Sequence, residues 1–481
     1  MTLNHPTYPS HCTNWSELRP WHRTLLYSNV QYFYNYPALK SPSISHQLPR
    51  TINSFQHGLH RYSSSQTSNR PTPKAHSMTG HFNVMPTNMP GRPEPFTMHV
   101  PEETLSEFHE LLKLSKIGPA TWWNQHNDRR FGVSREWLSQ AKEIWLKTFD
   151  WRQHEARINK LPNFKITVDD PESGEIDVHF LALFSSKKDA IPFIFLHGFP
   201  GSVFELLPMM ELLLDKYTPA TLPYHVIVPS LPNYGLSGSP SKNVEMTLDQ
   251  AARIMHQLMI DLGFSEGYVA QGGDLGSMLA RIMSMKYIEC KALHVNMLTL
   301  NPGETAPSSD GVSVEELQEM KRTETWAQTG LAFALEHGTR PATVGLAIAS
   351  NPLSLLAWIG EKFLEWVDQR EPLPLDTILA MASFYWFTDT FPRSLYHAQV
   401  LQTLLNGNPI PISKGKPLGY SQFSRDLALL PKAWAYELYP NLVFFKAHEK
   451  GGHFARLEQP MLFLEDIEDF GKHIHRFLIR S

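Results

Sequence analysis

Three residues that lie far apart in the 481-residue chain are of the types that together perform nucleophilic catalysis: Asp274, His453 and Asp426. Asp274 is the central residue of QGGDLGS, which follows a strand-like run and precedes a helix-like one. This arrangement is typical of a nucleophile elbow, a sharp turn whose small neighbours let the central side chain stand above the sheet. A carboxylate that attacks a saturated carbon forms an ester, which water can cleave, whereas a hydroxyl would form a stable ether. The segment therefore predicts a carboxylate nucleophile, with a simple helix N-cap as the alternative.

His453 is the candidate base. It ends the segment HEKGGH after the strand-like run NLVFFKA, so we expect it on a loop at the carboxyl edge of the sheet, within reach of Asp274. A zinc-binding HExxH motif needs histidines four apart on one helical face, but His448 and His453 are five apart across two glycines. The spacing therefore argues against a metal, and a solvated loop histidine is the alternative.

Asp426 is the candidate third member, which would orient His453 and stabilise its charge. It precedes LALLPKAW in the stretch before the final predicted strand, where it could also be a helix N-cap. The chain order nucleophile, acid, histidine is that of the α/β-hydrolases. The order and the positions after strands or in loops favour a catalytic triad.

The segment HGFPGS, residues 197–202, follows the apolar run IPFIFL. A backbone amide from such a loop can pair with the amide of the residue after the nucleophile. We therefore predict an oxyanion hole formed by the N–H groups of Phe199 and Leu275. An ordinary glycine–proline turn is the alternative.

The elements between these motifs alternate in type. The strand-like runs are FKITV, IDVHFLALF, IPFIFLHG, YHVIVPSLP, GYVAQGGD, KALHVNML and NLVFFKAH, and helix-like runs separate most of them. This alternation predicts an α/β fold with a mostly parallel sheet covered by helices on both faces. We divide the chain into an N-terminal extension (1–80), a helical meander (81–163), a first core part (164–300), an inserted helical cap (301–413) and a second core part (414–481).

The extension is rich in Ser, Pro, His and Tyr and contains one acid, Glu17, so we expect it to be disordered. Its composition also resembles an organelle transit peptide, and a start at Met78 is a further alternative. We expect a cytoplasmic location, with organelle import through residues 1–80 as the alternative.

Composition narrows the classes of partner. The net charge of −4 comes from 43 basic and 47 acidic residues, so no overall field favours nucleic acid or an anionic membrane. The two cysteines, Cys12 and Cys290, lie in no CxxC or Cys/His pattern, and no run is long and apolar enough for a transmembrane helix. We expect a soluble protein that acts on a small molecule without a metal or cofactor, and a homodimer is left open.

The motifs as a set resemble the microsomal-type epoxide hydrolases, including soluble fungal members, from about Phe96 to the C-terminus. The resemblance rests on FDWR, HGFPGS, GGDLGS, LHVNM, GTRPATVG, LAWIGEKFLEW and GGHFARLEQP. It implies that Asp274 attacks an epoxide carbon and that His453, paired with Asp426, activates water against the resulting ester. Phe333 and Trp386, in the aromatic-rich cap, are candidates for binding a lipophilic epoxide.

The chain departs from the family at the two cap tyrosines that protonate the opened epoxide. The first position is Phe333, and the second is Ala398, with Tyr396 two residues earlier. Two residues of an α-helix turn a side chain by about 200°, so Tyr396 serves as the donor only if the register shifts. We predict Tyr396 as the donor, with Tyr420, Tyr385 or His397 as substitutes, or substrates whose epoxide opens easily.

Two other functions share parts of this pattern. A haloalkane dehalogenase uses the same nucleophile but needs N–H donors for the halide, often a tryptophan where this chain has Leu275. A non-hydrolytic cyclase or binding protein would explain the absent tyrosines, but it is opposed by the intact set Asp274, Asp426 and His453.

Overall fold

A computed structural model describes residues 82–87 and 89–478, and the predicted extension lies outside them. Within these residues, one nine-stranded sheet runs in the order β1-β2-β3-β5-β4-β6-β7-β8-β9. The strands are β1 (Glu94–Pro95), β2 (Asn163–Asp170), β3 (Gly174–Leu183), β4 (Ile191–Leu196), β5 (Tyr224–Pro229), β6 (Tyr268–Gly272), β7 (Cys290–Val295), β8 (Leu418–Arg425) and β9 (Leu442–Gly452).

The sheet is antiparallel at one edge and parallel elsewhere. β1, β2, β3 and β5 pair antiparallel in turn, and every pairing from β5 to β9 is parallel. Parallel strands are buried on both faces, and the sequences of β4 and β5 are accordingly almost continuously apolar and buried. The predicted mostly parallel α/β-hydrolase sheet is confirmed.

Helices cover the sheet. α5 and α6 pack together, and α6 lies against β4, β6 and β7, while α4 packs on α16, which lies against β7, β8 and β9. The helices before the cap and in the core are α1 (Glu102–Leu114), α2 (Arg135–Lys147), α3 (Trp151–Asn159), α4 (Leu207–Lys216), α5 (Leu248–Asp261) and α6 (Leu275–Lys286), and those after the cap are α14 (Lys432–Leu438), α15 (Ala455–Glu458) and α16 (Pro460–Leu478).

Between β7 and β8 the structure is helical. This part consists of α7 (Val314–Gly330), α8 (Ala332–Thr339), α9 (Pro341–Ala349), α10 (Pro352–Glu365), α11 (Leu375–Phe387), α12 (Thr390–Arg393), a 3₁₀ turn (Leu395–Ala398) and α13 (Gln399–Leu405). The N-terminal helices hold it in place, since α10 contacts α1 and α2, and the buried Trp145 Nε1 donates to Ser383 Oγ at 3.0 Å. The domain boundaries drawn from the sequence stay predictions.

Two strands were not predicted, the two-residue β1 and the eight-residue β8. β8 has the sequence LGYSQFSR, and its first six residues are buried. Ser421 and Gln422 give it a polar character, but both side chains are hydrogen-bonded inside: Ser421 Oγ donates to Asp466 Oδ2 at 2.5 Å, and Gln422 Nε2 to the Leu430 carbonyl at 2.8 Å. Buried polar groups that find partners are compatible with a central strand. Asp426 therefore directly follows a strand and does not cap a helix, since α14 begins only at Lys432.

Candidate active site

The segment predicted as a nucleophile elbow is a sharp turn between a strand and a helix. β6 ends at Gly272 and α6 begins at Leu275, and Asp274 between them has φ 50° and ψ −129°. A Cβ at Gly276 would lie 2.1 Å from the Leu196 carbonyl oxygen of the neighbouring strand, so the close approach of the two backbones excludes a side chain there. A non-glycine residue at positive φ is strained, which is common where a side chain must be held in a defined direction.

The carboxylate of Asp274 does not cap α6: its side chain makes no capping hydrogen bond to the helix. Instead, Oδ1 accepts from the Phe199 amide at 2.8 Å. The hydrogen-bonding amides of Leu275 and Phe199 both contribute to lowering the pKa of Asp274. The structure thus brings the two predicted oxyanion amides to the predicted nucleophile.

His453 lies between two carboxylates. Its Nδ1 is 2.8 Å from Asp426 Oδ1, and its Nε2 is 3.4 Å from Asp274 Oδ2. Asp426 is buried, and its Oδ1 also accepts from the Leu427 amide at 2.6 Å, which fixes the carboxylate. The three residues named from the sequence therefore meet at the carboxyl edge of the sheet, at the ends of β6, β8 and β9.

The charges of this cluster follow from its geometry. Carboxylate oxygens only accept hydrogen bonds, so an imidazole with a carboxylate at each nitrogen must carry both protons. Burial lowers the pKa of His453, but the charge of Asp426 and the interaction with Asp274 outweigh it and raise this pKa to about 10. Burial raises the pKa of Asp274, but His453 and the two amides lower it more, so it stays below its ordinary value. The resting site is an imidazolium between two carboxylates.

His448, the other histidine of HEKGGH, belongs to a different cluster. Its Nε2 is 2.6 Å from Asp466 Oδ2 on α16. Within residues 82–87 and 89–478, no group of three His, Cys, Asp or Glu side chains is placed to hold a metal ion.

Glu458 anchors the histidine loop and was not identified from the sequence. Its Oε2 accepts from the amides of Asp368 at 2.7 Å and Gly452 at 2.9 Å, and its Oε1 accepts from the Phe454 amide at 2.9 Å. These bonds hold the backbone on both sides of His453. Burial raises the pKa of Glu458 to about 7, although the three amides lower it. The glutamate follows His453 by five residues in GGHFARLEQP, and this motif is the sequence feature from which Glu458 could have been identified.

A buried ion pair behind the elbow was also missed. Arg456 Nη2 lies 3.6 Å from Glu205 Oε2, and Arg456 Nη1 donates to the Leu196 carbonyl at 2.9 Å. Glu205 follows the HGFPGS loop and Arg456 follows His453, so this pair joins the HGFPGS loop to the loop that carries His453. Removing one member of a buried pair is costly, because the other charge is left unpaired.

A cavity of about 150 Å³ opens above Asp274, and the residues around it are mainly apolar. Phe333, a candidate substrate-binding residue, lines it. Trp386 does not: its ring packs against Phe108 of α1, with the centroids 6.3 Å apart. The structure therefore gives no support to substrate binding by Trp386, because this face of α11 points toward the N-terminal helices.

The candidate tyrosine donors also lie outside the lining of the cavity. Tyr396 is buried on the 3₁₀ turn, whose three residues per turn separate it from Ala398 by about 240°. Ala398 lines the cavity and Tyr396 does not, so the register shift that the donor role required is absent. Tyr385 donates to the Gly201 carbonyl at 3.0 Å, and Tyr420 accepts from the Leu430 amide at 3.3 Å.

Of the proposed substitutes, His397 lines the cavity, and it belongs to a hydrogen-bonded chain. Trp358 Nε1 donates to His337 Nε2 at 2.9 Å, His337 Nδ1 is 3.0 Å from His397 Nε2, and His397 Nδ1 is 3.0 Å from the Ser394 carbonyl. An indole only donates and a carbonyl only accepts, so every proton points from Trp358 toward Ser394 and both histidines are neutral. Burial agrees with this, since it lowers the pKa of His397 to about 4 and that of His337 to about 2.

Among the described helices, none is by itself long and apolar enough to cross a bilayer; α9 and α10 reach that length only together, and they are bent by 116° at their junction.

Comparisons with known proteins agree with this architecture. A family model described as "Epoxide hydrolase N terminus" matches residues 93–206, and one described as "alpha/beta hydrolase fold" matches residues 191–339. The solved structure of Aspergillus niger epoxide hydrolase is 42% identical, with a TM-score of 0.76, and the match covers 82% of this chain and 99% of that chain. The juvenile hormone epoxide hydrolase structure from the silkworm Bombyx mori, 23% identical with a TM-score of 0.70 over 81% of this chain and 96% of that one, supports the fold.

Curated sequences point the same way. A Dothistroma septosporum relative, provisionally named an epoxide hydrolase, is 42% identical over 395 residues, which are 81% of this chain and 92% of the relative. Epoxide hydrolase 1 of the pig, Sus scrofa, is 29% identical over 410 residues, and the match covers 78% of this chain and 88% of the pig protein. These relatives favour neither a dehalogenase nor a cyclase. With the fold, the elbow and relatives matched over nearly their full length, the chain belongs to the epoxide hydrolase family.

Proposed function

We propose that this protein hydrolyses lipophilic epoxides to vicinal diols through an ester on Asp274. One Asp274 oxygen attacks an epoxide carbon, the carbon–oxygen bond on the opposite side breaks, and the ring oxygen leaves as an alkoxide that takes up one proton from water. Water then attacks the ester carbonyl, and the released carboxylate carries the water oxygen. The 2.8 Å bond from the Phe199 amide to Asp274 Oδ1 carries this proposal, since that oxygen becomes the oxyanion.

The imidazole of His453 acts as the base in the second half. In the resting state the charge of Asp274 holds the proton on His453, at a contact of 3.4 Å. Formation of the ester removes that charge, so the pKa of His453 falls and the imidazolium can release its Nε2 proton to solvent. The neutral ring then accepts a proton from the attacking water, and Asp426 stabilises the imidazolium that forms.

Turnover of an epoxide in ¹⁸O-water tests the ester. Repeated turnover should place solvent oxygen in the Asp274 carboxylate, which peptide mass spectrometry detects. His453→Gln should accumulate a covalent adduct with the mass of one substrate on the peptide that contains Asp274, and Asp274→Asn should show neither label nor adduct. Diol formation by the unmodified protein without label at Asp274 would exclude the ester pathway.

We further propose that the substrates are epoxides that open without strong acid help, such as benzylic or allylic ones. Backside displacement directs the leaving oxygen away from Asp274, toward the cap. There the chain has Phe333 and Ala398, and His397 already uses both ring nitrogens in its hydrogen-bonded chain. General acid help is typically worth about 10² to 10⁴ in rate, so aliphatic epoxides should react slowly.

A variant that carries both Phe333→Tyr and Ala398→Tyr tests this preference. The Lys362 ammonium lies 4.5 Å from the centroid of the Phe333 ring, and a nearby cation lowers the pKa of a phenol. We expect kcat on aliphatic epoxides to rise by about tenfold or more and kcat on benzylic ones to change little. Phe333→Leu with Ala398→Leu is the matched control for size. If wild-type rates on both substrate classes are equal, another donor operates.

The cytoplasmic location and the homodimer stay predictions. Sedimentation velocity of the full chain and microscopy of a C-terminally tagged protein test them separately.

A further inference from the structure

Several large apolar side chains of the loop between α1 and α2 are exposed. Trp122 and Trp123 are 58% and 63% exposed, and Phe131 is 43% exposed. The three rings pack on one another and not into the core: the two indoles lie 4.9 Å apart, and Phe131 lies 5.2 Å from each. A soluble protein seldom exposes such a cluster unless the surface has a partner. We call residues 115–134 the aromatic loop.

The loop is fixed along α10. At one end, Asn351 Nδ2 donates to Ser115 Oγ at 2.8 Å, and at the other, Arg129 Nη1 donates to the Leu364 carbonyl at 2.8 Å. Trp366, which follows α10, lines the cavity above Asp274. The aromatic loop is therefore attached to both ends of a cap helix that leads into the cavity wall.

The charge of this surface differs from that of the whole chain. From Lys113 to Glu136 there are five basic and two acidic residues, a net charge of +3 against −4 for the full sequence. The exposed bases are Lys113, Lys116, Arg130 and Arg135, and Arg130 lies over the Phe131 ring at 4.7 Å. The net charge of this segment is therefore opposite in sign to that of the whole chain.

We propose that the aromatic loop docks the protein peripherally on the surface of a lipid bilayer that contains anionic lipids. Tryptophans with neighbouring basic residues are the combination that sits at the bilayer interface, where the rings enter the headgroup region and the cations meet anionic lipids. A twofold contact between copies of this chain would instead place the same positive surface against itself. The proposal does not depend on the catalytic roles of Asp274 and His453.

Flotation of the full chain with phosphatidylcholine vesicles, with and without phosphatidylserine, tests the proposal. We expect binding to the phosphatidylserine vesicles, weaker binding at high salt, and a loss of about tenfold or more in the double variant Trp122→Ser, Trp123→Ser. The control is Tyr436→Ser with Met461→Ser, which removes exposed apolar side chains from α14 and α16 and should bind normally. All variants keep residues 1–81, so any contribution of that segment is common to them.

The hydrolysis of a water-soluble epoxide without vesicles should be the same in all these proteins, which separates this surface from the active site. Absence of vesicle binding, or equal binding by the tryptophan variant and its control, would overturn the proposal. A tryptophan variant that converts a dimer to a monomer in sedimentation velocity, with no vesicle binding by any protein, would assign the loop to self-association instead.

Discussion

Replacing Asp274 by asparagine should lower the pKa of His453 from about 10 to between about 6 and 7, and this change probes the proposed mechanism directly. The opposite charges lie 3.4 Å apart. At an effective dielectric constant of about 20, two unit charges at this distance attract by roughly 5 kcal/mol, which corresponds to between three and four pH units. The asparagine keeps the shape of the side chain and removes its charge, as ester formation does.

The assay is a pH titration of ring N–H proton resonances by NMR in ¹⁵N-histidine-labelled protein. His453→Gln identifies the His453 signals by their absence, and far-UV circular dichroism confirms that the variants are folded. The wild-type signals should persist into alkaline pH, and those of Asp274→Asn should titrate near neutral pH. The same midpoint in both proteins would show that Asp274 does not hold the proton on His453, and the proposed change from acid to base would fail.

The remaining predictions concern the supports of the site. Glu458→Gln places a donor among three amides that need acceptors, so it should lower the free energy of unfolding by about 1–3 kcal/mol in urea titrations. It should also lower kcat, with a smaller effect on KM. Gly276→Ala should destabilise the protein by about 1–3 kcal/mol or more, whereas Gly415→Ala, where a Cβ has no neighbour within 4 Å, should be close to neutral in the same titration. The pKa of His453 is about 10 in the folded state and near 6.5 in the unfolded one, so protonated His453 stabilises the folded protein fully below pH 6.5. This stabilisation is lost as the pH rises through 10. The difference in Tm between wild type and His453→Gln should therefore shrink between pH 6.5 and pH 10.

The meeting of Asp274, Asp426 and His453 could be predicted because each of these residues has a local signal. Asp274 has small neighbours and a strand before it, and His453 follows an apolar strand. Asp426 had the weaker signal, because β8 is a central strand with polar residues whose partners come from distant parts of the chain, such as Asp466 on α16. Hydrophobic periodicity does not detect a strand whose polar groups are satisfied by tertiary contacts.

The cap could be predicted as helical but not in its orientation. Residues 378–385 of α11 are all buried, so the pattern does not say which face meets the cavity and which meets the N-terminal helices. The position of Trp386 therefore depended on packing against Phe108. The prediction for Tyr396 assumed an α-helix, but the structure has a 3₁₀ turn there. Four residues of sequence do not distinguish a single 3₁₀ turn from a turn of α-helix.

The distribution of charge in the site connects its two halves. In the proposed mechanism, the site holds two carboxylates and one imidazolium before attack, so it has a net charge of −1, and the attack moves the charge of Asp274 to the leaving oxygen on the cap side. His397 and His337 are held neutral there by their fixed hydrogen-bond direction, so they do not neutralise that charge. On the opposite side, the proposed mechanism uses the same movement of charge to release His453 as a base. The arrangement thus favours the second half-reaction more than the first, and the first then depends on how easily the substrate's own carbon–oxygen bond breaks.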